Sequence, residues 1–178
     1  YLQSYAQFFP TVELNFSYYR MPNAGQLSRI RDQGGSSLVF TVKANDALTP
    51  RVDPSAWRNA SAEFRSALEP LVESGCLAAV LFQFPYSFHY DVDQRRYLDL
   101  LLREYTEFPS AVEFRHKAWY NNRVIDEFRK RAVALVALDM PGLPGLPPLM
   151  DLCTAPLAYL RLHGRNSEQW WGSDSASR

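Results

Sequence analysis

The sequence predicts an α/β fold: a TIM-like (β/α) barrel of parallel strands, truncated at both ends, with about six strands visible. Three observations predict it. Short β-rich apolar runs alternate with segments of helical period along the chain. A complete eight-fold barrel takes roughly 250 residues, so six such runs in 178 residues match most of one. Polar and charged side chains gather where the apolar runs end, the edge from which parallel α/β sheets send out their binding loops. The same alternation admits a doubly wound open sheet, but no Gly-rich phosphate loop follows any strand. Residues 1–178 are expected to form one domain, incomplete at both termini.

The strand-like runs are Thr11–Phe16, Leu38–Lys43, Ala78–Phe84, Ser110–Phe114, Val133–Leu138 and Leu157–Leu162. Gln26–Gln33 is a weak helix that stops at Gly34-Gly35. In Trp57–Gly75 the apolar positions Trp57, Phe64, Leu68, Leu71 and Val72 follow helical spacing, with Pro70 expected to kink the last turn and Gly75 to end it. Asp91 is an N-cap candidate with Gln94 at the capping-box position, ahead of an inner stripe of Leu98, Leu101, Leu102 and Tyr105. A further helix starts near Asn121 and should bury Val124, Ile125 and Phe128. The Pro- and Gly-rich Pro141–Pro148 lies between apolar strands, which favours a stiff loop over the same domain rather than a linker.

Composition is that of a globular protein, 47% hydrophobic and 21% charged. Nineteen basic and nineteen acidic side chains cancel, so any attraction for an anion must be local. Cys76 and Cys153 lack metal-type spacing and read as buried, reduced thiols, which fits a cytoplasmic protein. No run approaches the ~20 apolar residues of a membrane span. The first residue is Tyr1 and the last six are Ser173–Arg178; both ends look cut.

Strand ends supply the candidate site. The first run carries Glu13, then Arg20; the second closes with Lys43, the third with Gln83, the fourth with Glu113, Arg115, His116 and Trp119, the fifth with Asp139, and the sixth with Arg161, His163 and Arg165. Residues two apart on a strand share a face, so Glu113 lies with Arg115, and Arg161 with His163 and Arg165, while Phe114, Leu160 and Leu162 face the other way. Such a set either lines a ligand cavity or forms a buried network of paired charges. Arg20, Lys43, Arg115, Arg161 and Arg165 in a chain of zero net charge imply an anionic ligand. His116 and His163 are candidate acid–base groups. No HxH or HxxxH pair supports a metal, and no cofactor motif is present. His89 is a loop histidine. Trp119 either stacks on a ligand or packs over the loop; Trp170-Trp171 reads as an exposed aromatic pair, and Arg129-Lys130-Arg131 as a solvated helix end.

Ordered blocks along most of the chain resemble the YecE-like family, also called domain of unknown function 72. They are Phe9–Asn15 with Tyr18–Pro22, Phe40–Ala44, Leu81–Pro85, Val112–His116 with Trp119, Asp139, and Tyr159–Arg165. The chain departs from the family pattern at Pro50, where many relatives have a histidine. The resemblance implies a TIM-like barrel whose first strand and closing segments lie outside this sequence. It implies a pocket but no reaction.

Three functions follow as expectations. The first is an enzyme or enzyme-like barrel for a small anionic metabolite or phosphate ester. In it Lys43, Arg115, Arg161 and Arg165 bind the anion, Glu13, Glu113 or His163 moves a proton, and Asp139 orients one of them; Arg20, Gln83, His116 and Trp119 complete the ligand contacts. The second is an endonuclease-like nucleic-acid barrel, which zero net charge opposes. The third is a non-catalytic sensor or partner-binding barrel. No membrane partner is expected.

Overall fold

The structure is a computed structural model that describes residues 2–50, 52–167 and 170; Trp171 and the Ser173–Arg178 tail lie outside them. The chain divides into two compact units, residues 1–82 and 83–178. It is an α/β fold whose strands pair in parallel, and no sheet closes on itself among the described residues. No helix among them is long and apolar enough to cross a membrane.

The first unit holds helix α1 (Leu2–Ala6), strand β1 (Thr11–Leu14), helices α2 (Phe16–Tyr19) and α3 (Ala24–Gly34), strand β2 (Val39–Lys43), helix α4 (Trp57–Glu73) and most of strand β3 (Leu77–Phe84). β1 pairs with β2 from Thr11–Val39 to Leu14–Val42, and β2 pairs with β3 with an irregularity between Phe40 and Thr41. The first apolar run ends earlier than expected, because the chain turns into α2 at Phe16. There the Ser17 hydroxyl donates to the Leu14 and Lys43 carbonyls at 3.1 and 2.6 Å, and the Asn45 amide donates to the Ser17 carbonyl at 2.9 Å. These bonds tie the carboxyl ends of β1 and β2 together. Asn23 caps α3 by accepting from the Gln26 amide, so that helix begins at Ala24, two residues ahead of the expected Gln26.

α4 carries Pro70 within its last turn, and the Pro70 carbonyl accepts from Arg31 and Ser74. It ends in a Schellman motif: the Cys76 amide donates to the Leu71 carbonyl and the Gly75 amide to that of Val72, with Gly75 at φ +67°. Phe64, Leu68 and Leu71 are fully buried from this helix, as are Phe40 and Val42 of β2 and Val80 and Phe82 of β3. Each such side chain contributes about 1.5–3 kcal/mol.

The second unit starts with Gln83 and Phe84 of β3. It continues with helix α5 (Val92–Glu104), strand β4 (Ser110–Phe114), helix α6 (Asn122–Arg131) and strands β5 (Ala134–Leu135), β6 (Ala137–Asp139) and β7 (Leu160–Leu162). Asp91 accepts from the Gln94 amide, so the expected cap is made, and Asn121, near the expected start of α6, caps that helix by accepting from the Val124 amide. The run expected as one strand over Val133–Leu138 is two short ladders. β5 pairs with β4 at Ala111–Ala134 and Val112–Leu135, whereas β6 pairs with β7 at Ala137–Leu160, Leu138–Arg161 and Asp139–Leu162. Hydrogen bonding changes neighbour at Val136, whose amide still donates to the Val112 carbonyl.

α6 also ends in a Schellman motif, the Val133 amide donating to the Phe128 carbonyl, but its left-handed residue is Ala132 at φ +53°. A Cβ in that conformation costs roughly 1–2 kcal/mol, against about 0.4–1 kcal/mol for the entropy a glycine adds to the unfolded chain. Ala132→Gly should therefore raise stability by about 0.5–1 kcal/mol, read as a higher urea midpoint at unchanged slope; a lower midpoint would contradict this account. The basic end of α6 is only partly solvated, since Arg131 pairs with Glu127 at 2.8 Å and with Asp99 of α5. The cysteines correct the expectation of burial: both are free, with Cys76 half-buried and Cys153 exposed. Trp170 is buried rather than exposed.

Candidate functional site

Glu113 is the centre of the second unit's charged cluster. β4 is buried along its length, so the residue two before Arg115 faces inward with no exposed surface. One carboxylate oxygen, Oε1, lies 2.5 Å from Arg115 Nε and 3.6 Å from His163 Nε2. The other, Oε2, accepts from Arg161 Nη1 at 2.6 Å. The same Arg161 nitrogen donates to Gln83 Oε1 at 3.0 Å. Three strand-end residues thus meet at one carboxylate, Arg115 after β4, Arg161 from β7 and His163 just beyond it, and Gln83 from β3 joins them through Arg161.

The contacts differ in kind. The Arg115 N–H does not point along its short contact, so Glu113 Oε1 and Arg115 Nε form an ion pair without an aligned hydrogen bond. His163 Nε2, 3.6 Å from Oε1, stands beyond ordinary hydrogen-bond distance. Burial alone would raise the Glu113 pKa; His163, Arg115 and Arg161 outweigh it and bring it down to about 2. Burial also lowers the Arg115 pKa, against the opposing pull of Glu113. The side chains of Arg161 and His163 are each 18% exposed, against 6% for Arg115. The outer part of the cluster is therefore the part carried by β7.

Asp139, expected to orient a proton-moving group, holds Arg165 Nε at 2.8 Å, and Arg165 is largely exposed. The His163 amide donates to the Asp139 carbonyl, which sets the backbone leading into that histidine. His116 stands apart from the carboxylate: its ring meets His89 and Tyr86 with centroids 4.7 and 5.0 Å away. Trp119 takes the packing role. It is 1% exposed, lies parallel to Phe114 at 4.3 Å, and donates from Nε1 to the Phe88 carbonyl at 2.7 Å. The remaining candidates belong to the first unit. There Lys43 is buried with its ammonium 4.1 Å above the Tyr18 ring, Glu13 is half-buried and Arg20 exposed.

Tyr120 joins the second unit's site without a signal in the sequence beyond its place after Trp119. Its hydroxyl donates to the Phe114 carbonyl at 3.1 Å, and burial, then the Glu113 charge, holds its pKa above the usual phenol range. A separate cavity of about 320 Å³ lies between α5 and α6, lined by Arg95, Leu98, Arg123 and Phe128 among others. It shares no residue with the Glu113 cluster, and Trp119 is among the residues that line it. Among the described residues no group of three or more His, Cys, Asp or Glu could hold a metal ion.

The family described as "Protein of unknown function DUF72" matches residues 1–178. The chain belongs to the DUF72 family. It is 27% identical, over 183 residues, to the UPF0759 protein YunF of Bacillus subtilis (strain 168), covering 97% of this chain and 65% of that one. It thus spans less than two thirds of that relative's length. A DUF72 crystal structure from Enterococcus faecalis superposes with a TM-score of 0.87 at 25% identity, covering 95% of this chain and 71% of the other. A DUF72 structure from Thermotoga maritima gives 0.81 at 33% identity, over 99% and 67%.

Proposed function

We propose that this DUF72 chain is the larger part of a (β/α) barrel that binds a small anionic ligand or phosphate ester at the Glu113 cluster. In this proposal Arg161 provides the positive charge toward the ligand and His163 is the group that gains and loses a proton. Glu113 stays charged at neutral pH and holds both in place, and Arg115 neutralises it from the buried side. The observation that carries the proposal is the meeting of Arg115, Arg161 and His163 on one fully buried carboxylate, with Arg161 and His163 on its outer side. A carboxylate held near a pKa of about 2 is a poor proton carrier at neutral pH, which moves that role from Glu113 to the imidazole. A cytoplasmic location is proposed with it, on the support of two free thiols.

Titration with inorganic phosphate, followed by phosphorus NMR or calorimetry, tests the proposal. Arg161→Ala should weaken phosphate binding at least 10-fold, a loss of about 1.4 kcal/mol or more. Arg165→Ala, which removes an exposed cation paired with Asp139, should change it less than 3-fold. Equal affinity in wild type and Arg161→Ala would reject the anion site.

A further inference from the structure

Three loops that follow strands of the second unit meet at His116. The loop after β3 brings Tyr86 and His89, whose rings lie 5.0 and 4.7 Å from the His116 ring, the latter edge to face. The loop after β6 brings Gly145, whose carbonyl accepts from the Lys117 amide at 2.9 Å. Gly145, at φ +90°, packs so closely on the Tyr86 hydroxyl that a Cβ there has no room. The loop after β4 starts with His116 itself, which caps the 3₁₀ turn Lys117–Trp119 by accepting the Ala118 amide hydrogen at Nδ1, 3.3 Å away. That turn delivers Trp119 to its stack on Phe114 and Phe88.

An imidazole nitrogen can accept only while it carries no proton, so this cap requires neutral His116 with its hydrogen on Nε2. The surroundings favour the same state. The titratable or charged neighbours are His89 and Tyr86 from one loop and Arg115 and Lys117 on either side in the chain; Pro141–Pro148 contributes none. We infer that His116 is a proton-sensitive clasp: neutral, it joins the three strand-end loops and seats Trp119, and protonated, it releases the Ala118 amide and loosens them.

Partial burial first, then His89 and Lys117, lower the His116 pKa from its ordinary 6.5. A depressed pKa means that the stabilisation is present above pH 6.5 and is lost as pH falls through the folded-state value. Nitrogen–proton NMR of the 178-residue chain between pH 8 and 5 tests the clasp. The Ala118 amide and the Trp119 indole N–H should shift together with a single midpoint below 6.5, tracking the His116 ring protons. His116→Asn, whose side-chain oxygen still caps the turn but does not titrate, should abolish that shift. His89→Ala should move the midpoint upward. An Ala118 amide indifferent to His116 protonation, or the same pH response in His116→Asn, would overturn the inference. Should His116→Asn fail to fold, an unmoved midpoint in His89→Ala does so.

Discussion

Glu113→Gln is expected to cost about 3–5 kcal/mol of folding stability, because it leaves a buried guanidinium without its counter-charge. The amide keeps the shape of the carboxylate, so the loss reports charge and not a cavity. Arg115, 5% exposed, cannot recover its hydration by turning outward, whereas Arg161 and His163 can do so in part. Pairing the change with Arg115→Met should recover most of the loss, since replacing both members of a buried ion pair by groups of matching volume is often neutral. Urea unfolding of the single and double variants measures this, and a single-variant cost below about 1 kcal/mol would show that the pair does not support the fold. The pH dependence has a definite sign. The Glu113 pKa is lowered from 4.5 to about 2, so its contribution is complete above pH 4.5 and disappears as pH falls toward 2. The Gln variant should lack that part of the wild-type acid sensitivity.

Trp119→Ala should be of similar size, about 3–5 kcal/mol. The indole lies parallel to Phe114 at 4.3 Å and to Phe88 at 5.2 Å, in a triangle of rings, and meets Tyr90 edge-on, so its removal opens a cavity bounded by three rings. Trp119→Phe separates packing from polarity: it keeps an aromatic ring but leaves the Phe88 carbonyl without its donor, a cost of about 1–3 kcal/mol. Ordered losses, Ala greater than Phe, at an unchanged urea slope would support this account. An Ala variant as stable as wild type would mean that Trp119 rests on the surface of the loop.

Much of this was legible in the sequence where the determining forces are local. Asp91 could be read as a cap, and a helix start placed near Asn121, because a short polar side chain at an extended residue accepts an orphan amide two or three residues on. Glu113 and Arg115 could be placed on one face because strand side chains alternate. The change of neighbour at Val136 could not be read, since Ala134–Asp139 is uniformly β-like and only the strands beside it decide which ladder each half joins. Trp119 was ambiguous for a related reason: stacking on a ligand and stacking on Phe114 demand the same residue. Asp139 and Arg165 were both identified as polar strand-end residues, but their mutual pairing is long-range. The cysteines were misread because an apolar local sequence does not ensure burial, and Cys153 lies in an irregular segment.

The change of neighbour at Val136 also divides the second unit by cohesion. β5 is buried and bonded to the buried β4, whereas β7 shows Leu160 and Leu162 at 57% and 71% exposure and is laddered to β6 over three residue pairs. Because Ala134–Leu135 keep their own ladder, β7 can open without breaking it, which makes β7 a small unit of local unfolding. Arg161 and His163 travel with that unit, while Glu113 and Arg115 stay on the buried strand. The outer side of the cluster therefore rests on the shorter, more exposed ladder, and its buried side on the strand that keeps its own.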